Sequence, residues 1–515
     1  MTDRILIPDG CSAEVAEYKE QIIPDYKNNP FIEVLPPLLT ASEVIEKLAF
    51  YPSYNVEERK LDSHHRIHLI NRIFQVFQPL PMSIKLESRI SRSIRQGYIT
   101  RNPFGWQLAQ GFRQDYEHLG NGAVDDSRMV NPSSSGFTLL GVSGLGKTSA
   151  LNHILRLYPQ VIVHKGYYET PLSTYQVVWL KLECPYDGSI KGLLYDFFII
   201  IDRLLGTNYH QKMVKTRPTT DMMLTVMNQV VRNTNLGLLV IDEIQHLSTA
   251  KSGGSQKMLN FFVNLVNNVG LPVIMVGTPK AMGVLQGEFR KARRGIGIDG
   301  DMICDRLKKD KVWNLLVQSI WHYQWTKKEI QLTDELIDTL YHETQGIPDL
   351  LIKLYATAQA YAISSGKEDI TPSILRKVAK ENLQLVQPMV KALRSGSIRE
   401  MVKYEDVYIP NIDLNDVLVS TKEKVKLNFA AEELLNKIKE KENDRSIEET
   451  INKEVVMNKK QSKQKVKEKR EQINPHDIRY IVQQGEKDNK SVYEILKEKR
   501  YIKDFKSDIF TGGII

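Results

Sequence analysis

A chain of 515 residues, 42% hydrophobic and 26% charged, has the length for about two to four domains and enough apolar content for a large core, which excludes a peptide-sized or wholly disordered protein. Its 70 Lys and Arg against 62 Asp and Glu leave a formal charge of +8, a balance compatible with a polyanionic partner. Cys11, Cys184 and Cys304 are too widely spaced for a paired-ligand site or a disulfide framework, the start MTDRILIPDG lacks a signal-peptide core, and Asp196, Asp202 and Arg203 interrupt the apolar run Leu193 to Leu205, so a cytoplasmic protein with no membrane segment is expected.

In chain order, residues 1 to 50 carry Pro24, Pro30, Pro36 and Pro37, which break long helices and suggest a partly extended arm. ASEVIEKLA at 41 to 49 reads as a helix with Ser42 as candidate cap, and HHRIHLINRIFQVF at 64 to 77 puts Ile67, Ile70, Ile73, Phe74 and Phe77 on one helical face. His64 and His68 stand four apart with no third ligand at matching spacing and read as a solvated pair. Ser83 to Arg95 is amphipathic and basic, with Lys85, Arg89, Arg92 and Arg95; it suits either contact with phosphates or a charged helix surface. Residues 1 to 120 are expected to form an arm and a small helical region, and Asn121 to Gly136, rich in Gly, Ser, Asp and Asn, a loop feeding the next domain.

That domain, 121 to 330, opens with a short apolar strand and then GVSGLGKT at 141 to 148, which fits GxxxxGK[ST] and runs into a helical pattern with Leu151, Ile154, Leu155 and Tyr158. Gly141, Gly144 and Gly146 allow the backbone to turn and present N–H groups to phosphates, with Ser143, Leu145 and Ser149 completing the nucleotide-facing set. Lys147 would neutralise the β and γ phosphates, and the Thr148 hydroxyl would hold Mg²⁺. VVWLKLE at 177 to 183 reads as a second buried strand and 189 to 205 as a long apolar helix. LLVIDE at 238 to 243 is an apolar strand ending in two carboxylates: Asp242, placed beside the phosphate loop, accepts the waters around Mg²⁺, and Glu243 is the candidate general base. After an apolar helix at 255 to 269, LPVIMV at 271 to 276 forms a further strand that delivers Thr278 alongside the first and third strands, where a polar side chain orients the attacking water or touches the γ phosphate; this role is termed sensor 1. The alternation predicts an α/β fold on an open parallel sheet.

EFRKARRG at 288 to 295 concentrates Arg290, Lys291, Arg293 and Arg294; it serves either a neighbouring subunit's γ phosphate or the phosphates of a nucleic acid. From Leu332 the pattern is purely helical, with Thr333 as a cap, Gly346 as a stop, and Thr371 and Pro372 opening a further helix, so 331 to 395 is expected to be a helical lid. In lids of this kind a second sensor arginine stands near the start of a helix; here GIPDLLIK supplies Asp349, with Lys353 as the only nearby substitute. Residues 396 to 515 form a charged tail: 459 to 471 hold seven basic and two acidic side chains with one aliphatic residue, too little apolar surface to pack. The apolar islands Leu427 to Ile438 and Ser491 to Phe510 are either docking segments or pack back onto the chain.

GVSGLGKT, LLVIDE, VIMVGT, an arginine cluster and a helical lid, in this order, resemble the AAA+ ATPases of the initiator type. Within them, IRQGYITRNP at 94 to 103, IDEIQHL at 241 to 247, FVNLVNNVGLPVIMVGTPKA, FRKARRG and TQGIPDLLIKLY resemble the TnsC-type regulators of DNA transposition, relatives of MuB and TniB, over roughly residues 40 to 395. The resemblance implies an AAA+ P-loop core with a parallel five-stranded sheet, ATP and Mg²⁺ as ligands, and hydrolysis by Lys147, Thr148, Asp242 and Glu243. It also implies Thr278 as sensor 1 and an intersubunit finger among Arg290, Arg293 and Arg294. The implied partners are double-stranded DNA, further copies of the chain in a ring or helical filament, a target-site selector met by the amino-terminal part, and transposase subunits met by the tail, in a DNA-associated bacterial cytoplasmic setting. A replication-initiator or helicase-loader ATPase shares the core but usually carries a winged helix after the lid, and a nucleotide-gated signalling scaffold would bind no DNA. The absence of NKxD speaks against a GTPase.

Overall fold

The computed structural model describes residues 3–105, 136–249, 258–262, 265–282, 285, 300–396 and 404. The loop expected up to residue 135, the arginines at 290 to 294 and the docking segments of the tail lie outside the described residues.

The described strands are β1 (Arg4–Leu6), β2 (Ser12–Val15), β3 (Phe137–Gly141), β4 (Val161–His164), β5 (Thr174–Val177), β6 (Trp179–Glu183), β7 (Leu238–Asp242), β8 (Val273–Gly277) and β9 (Met302–Cys304). Five of them form a sheet in the order β6-β7-β8-β3-β9, with every pairing parallel. All residues of β3, β7 and β8 are buried, as a parallel sheet covered on both faces requires. Successive side chains along a strand point to opposite faces: Leu238 and Val240 join one cluster with Leu151 and Ile154 of the Lys147–Leu155 helix and Leu86, Ile90 and Ile94 of the Pro81–Ile99 helix. Leu239 and Ile241 join the opposite cluster, with Phe197 and Ile201 of the Ile190–Leu205 helix and Met227 and Val231 of the Thr220–Asn233 helix. The result is a helix–sheet–helix sandwich, the α/β architecture expected.

Several local expectations change. VVWLKLE is not one strand: the chain leaves β5 at Val177 and enters β6 at Trp179, so its two parts belong to different sheets. The second sheet, β1-β2-β4-β5, takes in Arg4–Leu6 and Ser12–Val15, with β2 parallel to β4, so this part of the expected arm is extended but packed as sheet strands. The helix cap at 41 is Thr40, not Ser42, because Thr40 and Glu43 complete a reciprocal capping box. The helix begun at Ser63 tightens to three residues per turn over Ile70–Gln75, which keeps Ile70 and Ile73 buried and turns Phe74 outward. Arg95 of the basic stretch is fully buried, bonded to Ser91 and the Pro36 carbonyl, and so is unavailable to an external phosphate.

The helices Asp334–Thr344, Pro348–Ser364 and Pro372–Asn382 pack with Lys311–Trp321 around Trp313, Trp325 and Tyr355. Thr333 and Thr371 cap as their spacing predicted, and the first of these helices ends at Gln345 and Gly346, both with positive φ. Ile70, Ile73 and Val76 belong to this same core, so the segment read as a separate helical region packs on the lid. An ion pair locks it there: Arg66, 1% exposed, meets Glu368 through two bonds of 2.6 and 2.8 Å and donates to the Trp325 carbonyl. Among the described residues no helix is long and apolar enough to cross a membrane.

The hydrogen bonds from Arg66 hold the Glu368 carboxyl below the usual range. Its stabilising contribution is therefore complete above the unfolded-state value of about 4.3 and is lost as pH falls through the lower folded value. Glu368→Gln should destabilise the protein by about 3 kcal/mol at pH 7, because it strands a buried guanidinium. Thermal unfolding followed by circular dichroism should show the gap between parent and variant closing toward pH 3; a gap independent of pH would refute the assignment.

Candidate nucleotide and metal site

A parallel sheet brings the carboxyl ends of its strands to one edge, and the candidate residues lie there. β3 ends at Gly141, and the loop to Gly146 feeds the Lys147–Leu155 helix. Gly144 and Gly146 take φ of 78° and 88°, left-handed values that a side chain would strain, which is why the glycine spacing of the motif matters. The Lys147 ammonium is folded over the loop and donates to the carbonyls of Gly141 and Val142 at 2.7 and 3.0 Å.

Asp242 closes β7, with its carboxylate almost wholly buried. β8 lies between β3 and β7, so the Asp242 strand is one strand removed from the strand that carries the phosphate loop, the arrangement expected from a Thr278 strand alongside both. The gap is bridged by side chains: the Thr148 hydroxyl donates to Asp242 Oδ2 at 3.0 Å, and the Glu243 backbone N–H donates to Oδ1 at 3.0 Å. The two groups expected to hold the metal thus meet across the sheet edge. Glu243 has φ of 59°, a turn conformation that takes it off the strand direct from Asp242.

Thr278 follows β8, as the sequence placed it, between the loop strand and the Asp242 strand. Its backbone N–H donates to Gln245 Oε1 at 3.2 Å, and Gln245 Nε2 donates to the Glu243 carboxylate. Gln245 therefore ties the candidate base to sensor 1, a role its place in IDEIQHL did not reveal. The Thr278 hydroxyl itself is buried and has no hydrogen-bond partner among the described residues. A buried orphan hydroxyl between the strand of the glycine loop and the strand of Asp242 fits a site completed by a polar ligand. Lys181 was also missed: from the middle of β6 its ammonium lies 3.0 Å from Asp242 Oδ2 and 3.1 Å from Asn152 Oδ1. The one signal was a lysine inside an apolar strand.

The lid touches the loop directly. The Asp349 backbone N–H donates to the Gly144 carbonyl at 3.1 Å, and Val142 packs with Ile347, Leu350, Val390 and Leu393. Lys353, the candidate substitute for a second sensor arginine, is paired with Asp349 at 2.6 Å. Beside the loop, Leu145, Leu80, Met82, Cys304, Arg306 and Leu307 line a cavity of about 220 Å³. Arg306 also spans from this cavity to the Gln345 side chain at 2.7 Å, and Leu307 pairs with the Gly346 carbonyl. Burial pushes the Cys304 thiol up to about 11, so it is protonated and unreactive at neutral pH. Arg290, Arg293 and Arg294 lie outside the described residues.

Replacing Thr278 by the isosteric Val should raise the stability of the ligand-free protein by about 1 kcal/mol, since it removes a buried unpaired hydroxyl. A drop in melting temperature for Thr278→Val would mean that the hydroxyl is already paired.

Residues 133–285 match a family model described as an AAA domain. No curated protein matches the chain. Among solved structures, a Walker-type ATPase of Pyrococcus abyssi is 15% identical, with 61% of this chain and 88% of that chain covered and a TM-score of 0.34. Cdc6p of Pyrobaculum aerophilum is 16% identical over 61% and 85%, with a TM-score of 0.34, and Drosophila ORC bound to DNA is 12% identical over 75% and 92%, with a TM-score of 0.33. The family match, the glycine-built loop at Gly141 to Thr148 and the all-parallel order β6-β7-β8-β3-β9 together establish that this chain carries an AAA+ P-loop core.

Proposed function

We propose that the chain is an ATPase that assembles on double-stranded DNA and regulates transposition, linking a target-site selector to the transposase. The observation that carries the ATPase reading is the meeting of Thr148, Asp242, Glu243 and Thr278 at one sheet edge beside the Lys147 loop. Loop N–H groups and the Lys147 ammonium bind the phosphates once Lys147 releases the Gly141 and Val142 carbonyls. Thr148 and Asp242 would hold Mg²⁺, which supplies charge neutralisation at the β and γ phosphates. Glu243, aligned by Gln245, takes the proton of the attacking water, and the orphan Thr278 hydroxyl orients that water or the γ phosphate.

The transposition part of the reading is supported by the TnsC-like segments, above all IRQGYITRNP, IDEIQHL and TQGIPDLLIKLY. An arginine among Arg290, Arg293 and Arg294 of one subunit completes the neighbour's site, so ATP favours assembly and hydrolysis loosens it. The direct bond from Asp349 to Gly144 supports a lid that responds to events at the loop. A replication initiator would share all of the ATPase chemistry and differ in its partner.

Glu243→Gln should retain ATP binding while turnover falls by about a hundredfold or more, measured as phosphate release; parental turnover would remove Glu243 as base. Lys147→Ala should fail to form nucleotide-dependent filaments or rings on plain duplex DNA in electron micrographs, and assembly equal to the parent would contradict phosphate gating. Deleting residues 400 to 515 should spare ATP turnover and abolish capture of the transposase; intact capture would count against the tail as its docking segment, and capture of a replicative helicase instead would favour the initiator reading.

A further inference from the structure

Lys181 has no role in the chemistry outlined above, yet it sits on the same carboxylate oxygen as Thr148. It occupies the third position of β6, opposite Val240 of β7, so its backbone is fixed by the sheet and its side chain reaches along the strand edge to Asp242. The ammonium is 3.0 Å from Asp242 Oδ2, where the Thr148 hydroxyl also donates, and 3.1 Å from Asn152 Oδ1. Asn152 stands four residues after Thr148, one turn along the same face of the helix that leaves the phosphate loop. The Asp242 side chain is 3% exposed and that of Lys181 16%, so neither charge is solvated and each answers for the other.

The remaining oxygen, Oδ1, takes the Glu243 N–H. Among the described residues Thr148, Lys181 and the Glu243 N–H thus answer the Asp242 carboxylate, and its charge is balanced by a lysine. We infer that Lys181 is a positioning residue that stands in for the metal: it neutralises and aims Asp242 when Mg²⁺ is absent, and is held by Asn152, to which it already donates, when Mg²⁺ claims the carboxylate. This rests on the nucleotide and Mg²⁺ reading of the site. The cost of the arrangement is competition, because Mg²⁺ with its waters would have to compete with a charge-assisted hydrogen bond for the Asp242 carboxylate. Asn152 lowers that cost because the ammonium keeps this acceptor when it gives up Asp242. Lys181 would therefore set how much Mg²⁺ the site requires, while the Thr148–Asp242 geometry is kept intact in its absence.

The test is equilibrium binding of a fluorescent ATP analogue to the full chain, titrated with Mg²⁺, together with thermal unfolding without metal. Lys181→Met should lower the half-saturating Mg²⁺ concentration about tenfold and lower the metal-free melting temperature, while Lys181→Arg stays near the parent in both. Asn152→Leu, which removes the second acceptor of Lys181 and leaves the ammonium to Asp242 alone, should shift the midpoint the other way, to higher Mg²⁺. Lys181 as a purely structural residue would change the melting temperature and leave both midpoints where they are in the parent, and that result overturns the inference. If Lys181→Met does not fold, Asn152→Leu decides alone, and an unshifted midpoint is fatal. Failure of the parent itself to bind the analogue with Mg²⁺ would bring down the ATPase reading and this inference with it, whereas normal binding by the parent with unmoved variants brings down the inference alone.

Discussion

Asp242 is a carboxylate buried at the end of a central strand, and a buried carboxylate is tolerated only when every oxygen is answered. The answers come from three directions. Thr148 reaches it from the phosphate-loop helix, Lys181 from the neighbouring strand, and the Glu243 N–H from the turn that follows. Meeting this one electrostatic demand sets the distance between the loop helix and β7 across the intervening β8, and it gives Glu243 its departure from the strand. The loop, the candidate base and the candidate metal ligands are thereby placed by the same set of bonds that makes the strand end stable.

The lid is coupled to this edge through main chain more than through side chains. Asp349 donates its N–H to the Gly144 carbonyl, and Leu307 pairs with Gly346, so the segment after β9 and the start of the Pro348–Ser364 helix both grip the turn beside the loop. Arg306 braces that turn by binding Gln345 and the Leu393 carbonyl. Val142, a loop residue, is part of the lid's small apolar cluster. The loop and the lid are thus in direct contact, and Lys353 is engaged by Asp349. On the far side, Arg66 and Glu368 join the lid to the amino-terminal helices, so that the lid is held between the loop at one end and residues 54 to 80 at the other.

How much of this was legible beforehand follows from what local pattern can carry. The phosphate loop was readable because its glycines answer a backbone requirement, φ near 80°, that only that spacing meets. The positions of Asp242 and Thr278 were readable because each stands at the end of a short apolar run with the length and β-branched content of a buried strand. Lys181 and Gln245 were not, since a lysine in a strand and a glutamine after an acidic pair acquire meaning from partners 61 and 33 residues away. The caps at Thr333 and Thr371 lay in the sequence, whereas Thr40 displaced Ser42 through its reciprocal bond with Glu43.

By itself the sequence determined the α/β class, the loop, the strand-end acids and the helical lid, because propensity, alternation and turn chemistry act within a few residues of one another. Only the tertiary structure decided the full strand order, with β6 at one edge and β9 at the other, because hydrogen bonding between strands is indifferent to their distance in the chain. It also decided that the first strands join β4 and β5, that Val177 and Trp179 belong to different sheets, and that Arg95 is spent inside the fold. Above all it decided that a lysine of β6 stands at a carboxylate oxygen of Asp242, because a buried carboxylate had to find a partner charge.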